Sequence, residues 1–230
     1  MKTAEDVLKM MRKDASPEII KSQEMFGIVS GNSIGLTVPT MRALAKKIGI
    51  NQQLALDLWK TKIHEAKHVA IFIADKNAFA EKLMETWLKD LNSWDLVDNC
   101  CSTLFHHLPN AYEKAIEWTA REKEFEKRAG FSLMCYLAVH DKTAEDKKFE
   151  QFLPYIYKES SDTRNFVKKA VNWSLRQIGK RNARLCKKAI KVAKEIRAKD
   201  DTASRWIAAD ALRELEKYQA EGKIKNYGKK

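Results

Sequence analysis

Trp94 and Asp98, in Ser93-Trp-Asp-Leu-Val-Asp, stand four residues apart. On a helix that spacing makes them neighbours. Leu96, Val97, Cys100, Cys101 and Leu104 form an apolar face beside them, which must be buried. A carboxylate beside an indole is a candidate reactive pair. Its plainer reading is an aspartate that caps or meets an arginine while the tryptophan fills core. Arg128, in Phe125-Glu-Lys-Arg-Ala-Gly, has two roles open to it. Its fork can grip a phosphate, or it can neutralise Asp98, and the two do not exclude each other.

A third pattern is a stripe. Lys169, Trp173, Arg176 and Lys180 fall at i, i+4, i+7 and i+11. Cations for phosphates, with an aromatic for sugar or base, suit a nucleic-acid surface. Against this, Trp173 can be core with the cations reaching past it to solvent. The fourth pattern is His64-Glu65-Ala66-Lys67-His68, which matches the H-E-x-x-H of zinc hydrolases. That chemistry needs two imidazoles on one face, a glutamate base and a third ligand. The third would have to come from a residue such as Glu81 or Glu85. Such enzymes also lay a sheet over the active helix, and no strand pattern occurs here. The expectation is therefore no metal. Glycine patterns for mononucleotide or dinucleotide binding, and a G-x-S-x-G elbow, are absent.

These residues must be held by helices. Glycine (8) and proline (4) are scarce in 230 residues, which disfavours turn-rich strand folds. Apolar residues recur at three- and four-residue spacing almost throughout. Helices are expected at about 3–13, 17–25, 38–48, 51–60, 63–74, 77–89, 93–106, 109–121, 123–139, 145–157, 163–179, 182–198 and 202–219. Ser16-Pro17 reads as a cap followed by proline in the first turn, and the Gly27–Gly35 stretch reads as a loop. Related segments place His68, Asp98, Arg128, Lys169 and Arg205 in one repeat register, 30, 30, 41 and 36 residues apart. That is the range of one helical pair per repeat, so the fold expected is an all-α, HEAT-like helical-repeat solenoid with a concave basic surface. A plain helical bundle is the alternative. One domain is expected over 1–221, with a frayed tail over 222–230.

The formal charge is +12 and the pI about 9.4. Between Arg164 and Asp200 there are thirteen Lys/Arg and two acids, so nearly the whole excess lies there. A polyanion is the first partner this implies, and a merely solvated surface the second. The four cysteines form no C-x-x-C pair and sit in apolar helical patterns, as reduced buried thiols of a cytoplasmic protein would. The start, Met1-Lys-Thr-Ala-Glu-Asp, has no signal-peptide core, and uninterrupted apolar runs such as Val69–Ala74 are too short for a membrane.

Over most of its length the chain resembles the AlkD-like DNA alkylation repair proteins, HEAT-like alkylpurine DNA glycosylases. The resemblance rests on Gly35-Leu-Thr-Val-Pro-Thr-Met-Arg-Ala-Leu-Ala-Lys, Leu58-Trp-Lys-Thr-Lys-Ile-His-Glu-Ala, Glu126-Lys-Arg-Ala-Gly-Phe and, most specifically, Ser93-Trp-Asp-Leu-Val-Asp and Phe166-Val-Lys-Lys-Ala-Val-Asn-Trp-Ser-Leu-Arg. It implies hydrolytic excision of N3- or N7-alkylated purines from duplex DNA by a monomer, without metal or cofactor, the lesion being handled within the duplex through backbone contacts. It implies that Trp94 and Asp98 face the lesion deoxyribose, that Arg128 completes the catalytic set, and that Trp173 lies at the DNA. Lys169, Arg176, Lys180, Lys168, Arg164 and Arg205 are then the expected DNA-binding cations. In place of the further N-terminal aromatic of such relatives, this chain offers only Phe26. Some members bind DNA without glycosylase activity, so a non-catalytic binder of distorted or branched DNA is the alternative. A HEAT-type protein scaffold is a third reading.

Overall fold

The computed structural model describes residues 3–28 and 31–228. Every regular element among the described residues is a helix, and none is long and apolar enough to cross a membrane. The chain forms two compact units, Met1–Leu108 and Pro109–Lys230.

The first unit holds α1 (Ala4–Arg12), α2 (Pro17–Met25), α3 (Val38–Ile48), α4 (Gln52–Lys60), α5 (His64–Ile73), α6 (Glu81–Lys89) and α7 (Trp94–Thr103). Side-chain oxygens of Thr3, Ser16, Thr37 and Asn51 accept from first-turn amides and start four of them. Pro17 follows Ser16 as expected, because its missing N–H costs nothing in a first turn. The centre of the unit is α5, which packs on α3, α4 and α7. Nine of its ten residues are buried, among them His64, Glu65, Lys67 and His68. Trp59 and Trp87 stack beside it, ring centroids 3.8 Å apart. In the loop before α3, Gly35 has φ +82°, and a Cβ there would run into the Ser16 carbonyl.

The second unit holds α8 (Ala111–Trp118), α9 (Glu124–His140), α10 (Lys147–Glu150), α11 (Leu153–Lys158), α12 (Asn165–Gly179), α13 (Ala183–Arg197) and α14 (Thr202–Ala220). Here α9 packs between α8 and α12, and α12 also meets α13 and α14. Gly130 lets α8 and α9 approach closely: a Cβ would lie 2.9 Å from the Ala115 carbonyl oxygen and the Thr119 nitrogen. Arg181 is fully buried between α12 and α13. Its guanidinium donates to the carbonyls of Ala138 (2.7 Å), Asp141 (2.8 Å) and Ala144 (3.2 Å), and lies 3.6 Å over the Phe149 ring.

Three expected helices are shorter than the sequence suggested. The 77–89 segment is helical only from Glu81, and the 93–106 segment stops at Thr103 before a 3-10 turn, Phe105–His107. The 145–157 segment breaks into α10 and α11. Pro154 sits in the first turn of α11, where it has no N–H to carry a continuous helix across residue 150. The segment after Gly222, expected to fray, is bonded to the unit. Lys225 and Tyr227 amides donate to the carbonyls of Lys180 and Arg181, and that of Gly228 to Lys142. All four cysteines are buried and none is in a disulfide.

Candidate functional site

On α7, Trp94 and Asp98 are both half-buried, one turn apart at the surface of the first unit. The indole is fixed: Trp94 Nε1 donates to the Phe26 carbonyl oxygen at 3.0 Å. This bond ties the end of α2 to the start of α7. Met25 and Phe26 are 86% and 68% exposed there, unusual for large apolar side chains. The structure thus brings together Trp94, Asp98 and the one N-terminal aromatic that the sequence offered.

The other two residues of the expected set belong to the second unit. Arg128, on α9, is buried, and its Nη1 donates to the Phe166 carbonyl at 2.8 Å. Trp173, on α12, is half-buried and meets Tyr136 edge-on, with centroids 5.3 Å apart and planes 87° apart.

The expected DNA-binding cations differ among themselves. Lys169 is exposed. Lys168 is half-buried, its ammonium 5.0 Å over the exposed Trp206 ring. Arg164 is held at the start of α12 by Asp162 and by the Glu122 carbonyl. Arg205 pairs with Asp200 at 2.6 Å, in solvent. Arg176 and Lys180 both bond Glu214 of α14, and Lys180 is buried. Burial would raise the Glu214 carboxyl, but the bonds from Lys180 and Arg176 hold it below the ordinary range. On α13 the outward cations Lys187, Lys191, Lys194 and Arg197 are exposed.

The His64-Glu65-x-x-His68 motif splits in two. Glu65 turns toward the loop before α3, accepting from Ser33 Oγ (2.6 Å) and the amides of Ile34 (2.8 Å) and Gly35 (2.9 Å). Burial pushes its carboxyl up, but these donors hold it below the usual range. A glutamate so engaged is a loop anchor, not a hydrolytic base. The two imidazoles do share a face, and the carboxylate they meet is Asp95 of α7, where the sequence pointed to Glu81 or Glu85. Asp95 Oδ2 lies 2.9 Å from the Nε2 atoms of both His64 and His68, which are 3.3 Å apart. These three residues are a possible metal-holding group.

Sequence reasoning missed Met25, Tyr136, Trp206 and Asp95. Asp95 was visible only as the residue after Trp94, and nothing local announced that α5 would lie against it. Tyr136 lies 37 residues before Trp173, within the spacing of the repeat register, which is the signal that could have found it.

Comparisons with known proteins agree with this architecture. No curated protein sequence matches the chain. A solved structure described as "a new family of proteins related to the HEAT-like repeat DNA glycosylases with affinity for branched DNA structures" superposes with a TM-score of 0.80. It is 21% identical and covers 98% of this chain and 97% of its own. The fold is therefore all-α and HEAT-like. The family model for "DNA alkylation repair enzyme" matches residues 7–215, which span every site residue named above, and on that match the chain belongs to the DNA alkylation repair enzyme family.

Proposed function

We propose that this protein is a monofunctional DNA glycosylase that hydrolyses the N-glycosidic bond of cationic N3- or N7-alkylated purines in duplex DNA. The observation that carries the reading is the indole–carboxylate pair on α7, with the indole held by the Phe26 carbonyl, in a chain of this family. An alkylated purine already bears a positive charge. It leaves as a neutral base when the C1′–N bond breaks toward it, so no strong general acid is needed. The deoxyribose gathers cationic character, which Asp98 stabilises electrostatically and the indole face of Trp94 supports. Asp98 then orients the water whose oxygen bonds C1′, and the water's proton passes to solvent. Arg128 completes the catalytic set, Trp173 lies at the DNA, and exposed cations such as Lys169 hold the phosphate backbone.

Duplex DNA with a single 7-methylguanine tests this. Base release is expected from the unmodified protein, and Asp98→Asn is expected to lower the rate by about 10²–10³ with binding retained. Intact DNA after long incubation would end the glycosylase reading. A second reading is favoured by the solved relative, whose described affinity is for branched DNA. Under it the chain is a non-catalytic binder of distorted or branched DNA. It predicts tighter binding to a four-way junction than to methylated duplex, and no base release.

A further inference from the structure

We propose that His64, His68 and Asp95 form a binding site for one borderline divalent transition-metal ion of the zinc class, which clasps α5 to α7. The inference is independent of the glycosylase reading.

The geometry is that of a facial ligand set. Asp95 Oδ2 and the two Nε2 atoms form a triangle with sides of 2.9, 2.9 and 3.3 Å. A point about 2.1 Å from all three corners, the length of a zinc–nitrogen or zinc–oxygen bond, lies about 1.1 Å off their plane. Two imidazoles and one carboxylate, with further positions left for water, suit zinc and its first-row neighbours better than magnesium or calcium.

The packing of the cluster points the same way. The two Nε2 atoms, 3.3 Å apart, converge on a single carboxylate oxygen, while Asp95 Oδ1 is buried and accepts nothing among the described residues. A cation set among these three atoms gives all of them one common partner. The surrounding contacts also fit. His68 Nδ1 faces the Asn99 side-chain amide at 2.5 Å. With that amide turned to present its oxygen, it would accept the Nδ1–H and fix the ring for ligation through Nε2. Both histidines are almost wholly enclosed, and the Asp95 side chain is 16% exposed, which gives an ion its entry edge.

The site is not a hydrolytic centre of the H-E-x-x-H kind, because Glu65 is committed to the loop before α3. Its consequence is mechanical. Asp95 lies in the first turn of α7 next to Trp94, so an ion held between α5 and α7 fixes the turn that carries the indole.

Chelator-stripped protein titrated with Co²⁺, and then displaced by Zn²⁺, tests the proposal. One Co²⁺ per chain with visible d–d absorption is expected. In Asp95→Asn, which keeps the size of the side chain, affinity is expected to fall by at least about a hundredfold. A second measurement needs no variant: adding Zn²⁺ to ¹⁵N-histidine-labelled protein should shift two of the five histidine side-chain signals at Nε2. Failure to bind any ion, binding unchanged in Asp95→Asn, or shifts confined to His106, His107 and His140 would each overturn the site.

Discussion

On α7 a carboxylate stands one turn from a tryptophan, and the neighbouring acid, Asp95, is met by two imidazoles from α5. On α12 the tryptophan stands among cations, and the two that follow it, Arg176 and Lys180, are met by Glu214 of α14. The chain is strongly basic, yet much of the charge gathered around α12 is engaged inside the second unit. Arg181 is capped by carbonyl oxygens, and Arg164 by Asp162 and a carbonyl. Formal charge and available charge are therefore different quantities. The cations left to meet a phosphate backbone directly are exposed ones such as Lys169 and the outward row of α13.

The sharpest test of that distinction is Arg181. If it is a structural cation, removing it leaves the carbonyls of Ala138, Asp141 and Ala144 without that donor, the first of them fully buried. Arg181→Met should cost about 3–5 kcal/mol in urea melts. Arg181→Lys should restore little, because one ammonium cannot reproduce the fork or its stacking on Phe149. DNA binding by the folded fraction should not change. A loss of affinity without loss of stability would place Arg181 on the DNA side of the comparison instead.

The pair on α7 was readable in the sequence because it is local: i and i+4 on one helix need only the helix to exist. The all-α fold was readable for the same reason, from spacing repeated within each helix. What escaped was pairing between helices. Glu214 lies 38 residues beyond Arg176, and Asp95 lies 27 beyond His68, so each partnership depends on how two helices pack. The stripe Lys169–Trp173–Arg176–Lys180 is real as a stripe on α12, but α14 lies against its far end and encloses Lys180. The break between α10 and α11 was signalled by Pro154, outweighed by an apolar period that continues on both sides. The docked tail depends on Tyr227 meeting Arg181 and Lys142, pairings with no local signature.

Glu214 gives a gentler test with a defined sign. Its carboxyl lies below its ordinary range in the folded protein, so it stabilises the fold at pH values above the unfolded value. That contribution is lost as pH falls through the lowered folded value, below the ordinary carboxylate range. Glu214→Gln should remove about 1 kcal/mol at neutral pH and flatten the stability profile in that acid window. It also releases Arg176 and Lys180. Affinity for random duplex at low salt should rise about two- to fivefold, with a steeper salt slope by about one unit. An unchanged slope would mean that α14 screens nothing that DNA can reach.

The smallest effect separates cations that differ only in their partners. Lys169 is exposed, whereas Arg176 on the same helix is bonded to Glu214. Removing a cation that neutralises one phosphate should lower the slope of log affinity against log salt by about 0.9. Lys169→Ala should therefore flatten the slope by nearly that amount and weaken binding a few-fold at low salt. Arg176→Ala should change the slope less, because the guanidinium must first leave a carboxylate that already neutralises it. Fluorescence anisotropy at several salt concentrations measures both. Equal slope changes would show that the Glu214 pair opens freely on binding, and the division between structural and available cations on α12 would fail. A null result for Lys169 with a large one for Arg176 would invert it, placing the DNA-facing surface on the side of α12 that faces α14.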